Sequence, residues 1–412
     1  MYQLARDAIT RIINEEAYTN LVVSEVIEKH SLTEHERRLF TKIVYGTVEK
    51  YLLLDYYLKP YTQGKRLKPY LKNTLRMGVY MLFFMDIANH FVVNELVKMV
   101  KKKDYKGSQL VNAIFRSILK QELPSIKASS YLEELSIKYS YPQSLVEEIY
   151  KQYPSDIESI LNMDYKQNYN IYRINTLKIS VEEVVEYLNT KSIKYMIDKT
   201  TIWVENSLIN DVLFKDGMII AQDASSQKVG FIANPSPGDR VLDACSAPGG
   251  KACHMGTIMN NQGEIVCLDV YDHKIELIKE NASKQGISII KPMVQDSRTY
   301  EPIELFDIIV IDAPCSGLGV MDHKVDLKYR MNAESMNGLV NLQKEILENL
   351  HKYVKLNGYL VYSTCTINQN ENNKQMDEFI KNHPNYEKIY EEQILPNNLG
   401  DGFYICKLQR KA

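Results

Sequence analysis

After Gly217 the sequence alternates short β-rich runs with helical stretches, and this rhythm limits the fold more than any other feature. The runs are Ile219–Gln222, Arg240–Cys245, Glu264–Asp269, Ile289–Val294, Phe306–Asp312, Tyr359–Thr364 and Phe403–Leu408; the helical stretches between them include Lys274–Gln285 and Leu339–Tyr353. Strands separated by helices predict a doubly wound, mostly parallel α/β sheet over residues 217–412. The front of the chain reads differently. Apolar residues recur at three and four spacing through Leu4, Ala8, Ile9, Ile12 and Ile13, and again through Phe40, Ile43, Val44, Val48 and Leu52. Ser31-Leu32-Thr33-Glu34 offers the second run a capping start. Helices are also expected at Leu71–Met85, Val92–Lys102 and Gln109–Leu119, which makes residues 1–125 an all-α domain. Residues 126–216 lie between the two. A polar helical stretch to about Lys166 precedes a strand at Tyr169–Leu177, a helix at Val181–Leu188 and a strand at Thr201–Val204, a small α/β insert.

Charge separates the same parts. The net charge of -2 combines an excess of basic residues in 1–125 with an excess of acidic ones in the remainder. A basic helical module joined to an acidic α/β module fits RNA docking joined to catalysis, although a lysine-rich solvated surface would give the same balance. Apolar runs such as Met81-Leu82-Phe83-Phe84-Met85 are too short to span a bilayer, and Met1–Asp7 lacks the apolar core of a signal peptide. A cytoplasmic protein is expected. The six cysteines, at 245, 253, 267, 315, 365 and 406, have neither Cys-x-x-Cys pairing nor a histidine at zinc-ligand spacing. They are expected to be free thiols, most of them small buried apolar groups, and no metal is expected.

The α/β part carries chemistry at its strand ends. In open sheets of this kind, ligands bind beyond the C-terminal strand ends near the point where strand order reverses. The first strong strand runs into Asp243-Ala244-Cys245-Ser246-Ala247-Pro248-Gly249-Gly250-Lys251. Its glycines allow close backbone approach, and the helix that starts there supplies unpaired N–H groups. The next strand ends in Asp269, placed for the two hydroxyls of a ribose. Gln295-Asp296 follows the third, suited to an adenine edge, and the fourth ends in Asp312. The loop lacks Gly-x-Gly-x-x-Gly, and no Walker sequence is present. Any one of these aspartates reads first as a helix cap; four in register suit a nucleoside with a positive centre and no phosphate, as in S-adenosylmethionine.

Two cysteines share that rim, Cys315 in Asp312-Ala313-Pro314-Cys315-Ser316-Gly317 and Cys365 in Tyr362-Ser363-Thr364-Cys365-Thr366. Carbon 5 of cytosine is a poor nucleophile until a thiolate adds to carbon 6 and makes it enamine-like. That route needs an activated thiol, an acid at the N3 edge, for which Asp312 is the candidate, and later a base for the C5 proton. Methylation of an amino group needs none of this, so the cysteine pair favours C5 chemistry. The residues alone do not say which cysteine attacks.

These motifs resemble the RNA 5-methylcytosine methyltransferases of the Nop2/Sun group, most closely the bacterial RsmB (Sun, Fmu) type that modifies small-subunit ribosomal RNA. Matching stretches recur in order: Arg173–Leu177, Gln222–Gln227, the Asp243–Lys251 loop, Asp312–Gly317, Ser363-Thr364-Cys365 and Asp401-Gly402-Phe403. The front domain resembles the NusB-type RNA-binding domain, through Val93-Asn94-Glu95 and Val111–Arg116. The resemblance implies a NusB-like helical domain followed by a Rossmann-like class I methyltransferase domain. It implies Cys365 as the nucleophile, Cys315 as the group that helps release the product, and residues 245–251, Asp269, Asp296 and Asp312 around S-adenosylmethionine. DNA cytosine methyltransferases carry the nucleophile after a proline, which points to Cys315; the resemblance favours Cys365. The implied substrate is 16S ribosomal RNA, free or in early assembly, handled by a monomer; transfer RNA or another ribosomal site is the alternative, and an inactive RNA-binding assembly factor the remaining one. Two stretches depart from the pattern: Met321–Asp326 stands where relatives carry a basic pair and a His/Lys-Pro-Asp, and Gln369-Asn370-Glu371-Asn372 where they carry Pro-Glu-Glu-Asn. Lys251, Arg173 and Asn175 are candidates to hold the base.

Overall fold

The structure, a computed structural model, describes residues 1–64, 66–162 and 169–411. It forms two compact units, Met1–Met163 with Met321–Met331, and Asp164–Val320 with Asn332–Ala412. The end of the expected helical stretch, at 163–168, lies outside the described residues.

The first unit is helical. Tyr2–Asn14, Glu34–Glu49, Pro69–Phe83, Asn89–Lys101 and Tyr105–Ile118 close over a core that includes Ile9, Phe40, Leu75, Leu96 and Phe115, all fully buried. The cap of the helix Glu34–Glu49 is Thr33, two residues past Ser31: its hydroxyl accepts from Glu36 N, and Glu36 reaches back to Thr33 N at 3.0 Å. Helices meet closely at Gly78, where an added Cβ would stand 2.1 Å from the Phe115 ring.

Residues 321–331, which follow Cys315 in the chain, belong to this helical unit. Lys328 is fully buried, with Nζ 4.2 Å over the Tyr141 ring and donating to Tyr139 O at 3.3 Å. The Tyr329 hydroxyl lies 2.7 Å from Glu49 O and 3.0 Å from the hydroxyl of Ser140. Arg330 pairs with Asp326 at 3.0 Å, donates to Ala17 O at 2.7 Å and lies over the Tyr18 ring. This segment is thus a clasp of charged and aromatic groups whose polar atoms find partners within the helices.

The second unit holds two sheets. A four-stranded antiparallel sheet has the order β2-β3-β1-β4, from β1 (Asn170–Ile174), β2 (Tyr195–Asp198), β3 (Thr201–Val204) and β4 (Ile219–Ala221). The helix Val181–Thr190 covers it through Val184 and Leu188. The expected strand at Ile219–Gln222 therefore pairs with β1 and lies outside the parallel sheet.

The larger sheet has the order β10-β11-β9-β8-β5-β6-β7, from β5 (Arg240–Asp243), β6 (Glu264–Asp269), β7 (Ile290–Val294), β8 (Phe306–Asp312), β9 (Val354–Thr364), β10 (Tyr386–Ile394) and β11 (Phe403–Arg410). Strands β5 to β9 are parallel; β10 and β11 add an antiparallel edge. Alternate residues face opposite layers. Leu242, Leu268, Ile309 and Ile311 pack with Ile346, Leu350 and Phe379 on one face, and Val241, Ile265 and Val310 with Val229, Met255 and Ile278 on the other. Strand β10, with four charged residues in nine, gives no apolar signal in the sequence. Among the described residues no helix is long and apolar enough to cross a membrane.

Replacing Tyr329 by Phe leaves the carbonyl groups of Glu49 and Ser140 short of a donor and should cost about 1–2 kcal/mol. Urea unfolding followed by circular dichroism checks this; an unchanged midpoint would mean that the hydroxyl contributes no net hydrogen bond.

Candidate active site

Strand order reverses between β5 and β8, because β5 leads outward through β6 and β7 while β8 leads the other way to β9. Asp243 and Asp312 end the two strands that flank this switch point. Asp269 ends β6, and Asp296 follows β7. The four predicted carboxylates thus stand on one edge of four adjacent strands.

They are not equivalent. Asp243 is buried; Ser246 Oγ donates to its Oδ2 at 2.9 Å, and its Oδ1 has no protein partner. Burial, helped by the charge of Asp312, pushes its carboxyl up to about 7. Asp269 accepts from Tyr271 N at 3.2 Å and faces Lys274 at 3.5 Å. Asp296 is held by the Arg298 guanidinium at 2.7 Å, which keeps its carboxyl below the usual range. Asp312 receives Lys251 Nζ at 2.6 Å on one oxygen and Ser363 Oγ at 2.8 Å on the other. Burial pulls the Lys251 ammonium down, but Asp312 outweighs it and leaves the pKa above the ordinary lysine value.

The Cys245–Lys251 loop runs from β5 into the helix Gly250–Ile258. Gly249 takes φ 95°, and a Cβ there would meet the Ile278 backbone at 3.3 Å. A Cβ on Gly250 would meet nothing nearer than Gln222 Nε2 at 3.9 Å, so a ligand has room beside the helix start. The unpartnered Asp243 oxygen, the open glycine and the helix N-terminus suit a nucleoside that carries a cation. Cys245 itself is half-buried, and its thiol is pushed up by burial and then by Asp243.

Cys315 and Cys365 come together. The register places Asp312 opposite Ser363, and three and two residues further on the two Sγ atoms lie 3.4 Å apart. The contact with Cys365, then burial, holds the Cys315 thiol well above its usual value. Cys253, Cys267 and Cys406 are the buried apolar thiols that the composition suggests.

Sequence reasoning missed the groups that hold this pair. Glu371 is fully buried and accepts from Ser316 N at 2.9 Å, Ser316 Oγ at 2.5 Å, Gln343 Nε2 at 2.9 Å and Asn368 Nδ2 at 2.8 Å. Asn372, next in the chain, accepts from Thr364 Oγ1 at 2.6 Å and donates to Thr366 O at 2.9 Å. Glu371 therefore braces the residue after Cys315, and Asn372 the residues on both sides of Cys365. The signal was present: Glu-Asn is the part of the Pro-Glu-Glu-Asn pattern that this chain keeps.

Two expected base contacts are corrected. Arg173 is fully buried and donates to Gln222 Oε1 at 2.8 Å and Gln285 Oε1 at 2.7 Å. Asn175 donates to Gly217 O and Gln285 O. Both tie the antiparallel sheet to the helix Asp272–Gln285, so neither is open to a base. Lys251 remains beside the cysteines.

The 16S rRNA methyltransferase RsmB/F family matches residues 230–409, the NusB family residues 2–120, and the ferredoxin-like domain of RsmF/B-like methyltransferases residues 141–202. A "Probable ribosomal RNA small subunit methyltransferase B" of Bacillus subtilis (strain 168) is 32% identical over 99% of this chain and 98% of its own. The chain belongs to the RsmB/F family of ribosomal RNA methyltransferases. A second relative with that description, from Synechocystis, is 30% identical over 99% of each chain. The crystal structure of PH0851 superposes with a TM-score of 0.83 at 26% identity, covering 98% of this chain and 97% of that one. As a member of this family the protein is an S-adenosylmethionine-dependent ribosomal RNA methyltransferase with a NusB helical domain and a Rossmann-like catalytic domain, and the switch-point cleft fits that cofactor.

Two outcomes follow from the geometry. With its folded value near 7, Asp243 binds a proton that the unfolded chain has released, so stability falls as pH rises from about 4 to 7. Asp243→Asn should flatten that part of the curve in urea titrations at pH 5 and 8; parallel curves would show that another group titrates. Glu371→Gln turns donors toward Ser316 N–H and Asn368 and should slow methyl transfer at least tenfold, with S-adenosylmethionine affinity by calorimetry unchanged.

Proposed function

We propose that this protein methylates carbon 5 of a specific cytosine in 16S ribosomal RNA through a covalent bond between Cys365 Sγ and carbon 6. The observation that carries the reading is the 3.4 Å approach of two thiols beside the Lys251–Asp312 pair, at the end of two adjacent parallel strands. An amino-group methyltransferase has no use for two thiols at that spot.

The Cys365 thiolate adds to carbon 6 while N3 takes a proton from the Lys251–Asp312 pair, whose 2.6 Å contact lets one proton serve both groups. Bound S-adenosylmethionine supplies the methyl group as an electrophilic sulfonium. Carbon 5, now part of an enamine, takes the methyl as the sulfur–methyl bond breaks and S-adenosylhomocysteine leaves, and then loses its proton to a base. The Cys365–C6 bond breaks, N3 returns its proton, and 5-methylcytosine is left. Cys315 lies close enough to Cys365 to assist this release. A cytosine inside folded RNA must be splayed out to reach the thiols. The basic helical domain, residues 1–125, supports docking of free or early-assembly 16S RNA onto a monomer in the cytoplasm.

Tritiated-methyl transfer to unmodified 16S RNA tests the reading. Cys365→Ala should be inactive, and Cys315→Ala should accumulate a protein–RNA adduct that survives denaturing gels. Methylation by Cys365→Ala would overturn the covalent role and make Cys315 the nucleophile.

A further inference from the structure

Three aromatic side chains from three separate elements meet in one hollow of about 420 Å³ in the second unit: Trp203 on β3, Phe231 on the helix Ala224–Ala233, and Tyr390 on β10. All three are only half-buried: Phe231 lies edge-on to His254 and Tyr390 borders the core beneath the sheet, and each keeps part of its ring on the hollow. Trp203 Nε1 donates to Leu399 O at 2.9 Å, which fixes the plane of the indole. Two lysines stand at the rim. Lys199 is exposed, with Nζ 5.2 Å over the Phe231 ring, and Lys228 pairs with Glu392 at 2.9 Å. Asp198 is the one carboxylate of the wall.

A short hydrogen-bonded backbone path joins the wall of the hollow to the catalytic rim. Leu399 and Gly400 form part of its wall. Two residues on, Gly402 N donates to Gly319 O at 2.9 Å, and Gly319 N donates to Cys365 O at 3.1 Å. Adjacent Cα atoms are 3.8 Å apart, so this path places the Leu399–Gly400 edge of the hollow within about 20 Å of the nucleophile, a span of about three nucleotides. Unstacked bases of single-stranded RNA seek aromatic faces, and their phosphates seek lysines.

We propose that this hollow is the subsite for a base flanking the target cytosine, stacked among Trp203, Phe231 and Tyr390, with Lys199 on its phosphate. The assignment rests on RNA being the substrate of the cleft. Stacking tolerates every base, so the subsite holds the strand without reading its sequence; it keeps the chain beside the target extended once that base is splayed out.

Trp203 is the only tryptophan in the sequence and reports directly. The experiment titrates the full-length protein, with S-adenosylmethionine present, with a short single-stranded 16S transcript chosen by where the tritium label lands. Indole emission should be quenched with the same Kd that anisotropy of labelled RNA gives. Phe231→Ala and the exposed Lys199→Glu should each weaken binding about tenfold, with the loss in KM, and Lys199→Glu should leave melting temperature and S-adenosylmethionine affinity unchanged. RNA binding that leaves the emission unaltered, or a wild-type Kd in both variants, would overturn the proposal. These readings are independent of the covalent mechanism: if Cys365→Ala still methylates RNA while the quench and the Kd changes hold, the nucleophile falls and the subsite stands.

Discussion

The catalytic unit depends on the register between β8 and β9. Asp312 lies opposite Ser363, and the hydroxyl of Ser363 donates to the Asp312 carboxylate. A slip of one residue would turn every side chain of one strand to the other face of the sheet. It would move Cys365 away from Cys315 and break the hydrogen bond that aims Asp312 at Lys251. Parallel pairing makes the register costly to change, since both faces of these strands are covered by apolar side chains. Hydrophobic burial thereby fixes a polar geometry at the strand ends, where few apolar contacts remain to do so.

Charge at this edge is arranged by depth. The buried Asp243 and the more accessible Asp312 face one another across the switch point, and their mutual repulsion is relieved from one side by Lys251. Removing that ammonium would leave both carboxyl groups in a poorly solvated place without its counter-charge. Glu371 works differently. Its carboxyl group sits among four donors, three from side chains and one from the backbone, and these hydrogen bonds satisfy it fully inside the protein.

What the sequence makes legible follows from how local each signal is. The strand ends at Asp243, Asp269 and Asp312 and the cysteines after Asp312 and Thr364 are read within a few residues, because a short apolar run followed by a polar loop has few interpretations. The helical domain follows from spacing alone. Arg173 misleads because a charged residue in a strand looks functional, while its role, bridging Gln222 and Gln285, depends on partners 49 and 112 residues away. Ile219–Ala221 misleads because a β-rich run does not state its neighbour, and it joins β1 through antiparallel pairing. Glu371 and Asn372 escape because polar residues in a loop suggest solvent, and only the fold shows them turned inward. Strand β10 escapes for a similar reason: its pairing with β11, rather than apolar content, makes it a strand.

The clasp at residues 321–331 bears on how this chain can be divided. In gene order the helical domain ends near residue 125 and looks like a detachable front piece. In space, eleven residues encoded between Cys315 and Cys365 belong to that piece, and Lys328 and Tyr329 are tied into it. A cut anywhere in the linker separates Tyr329 and Arg330 from Glu49 and Ala17, and a cut beyond Tyr141 also takes from Lys328 its partners Tyr139 and Tyr141. Exchange of the front module between relatives must therefore carry two stretches of sequence together, and drift in either stretch is constrained by the other. The polypeptide is collinear with its gene, but its units of inheritance are not collinear with its domains.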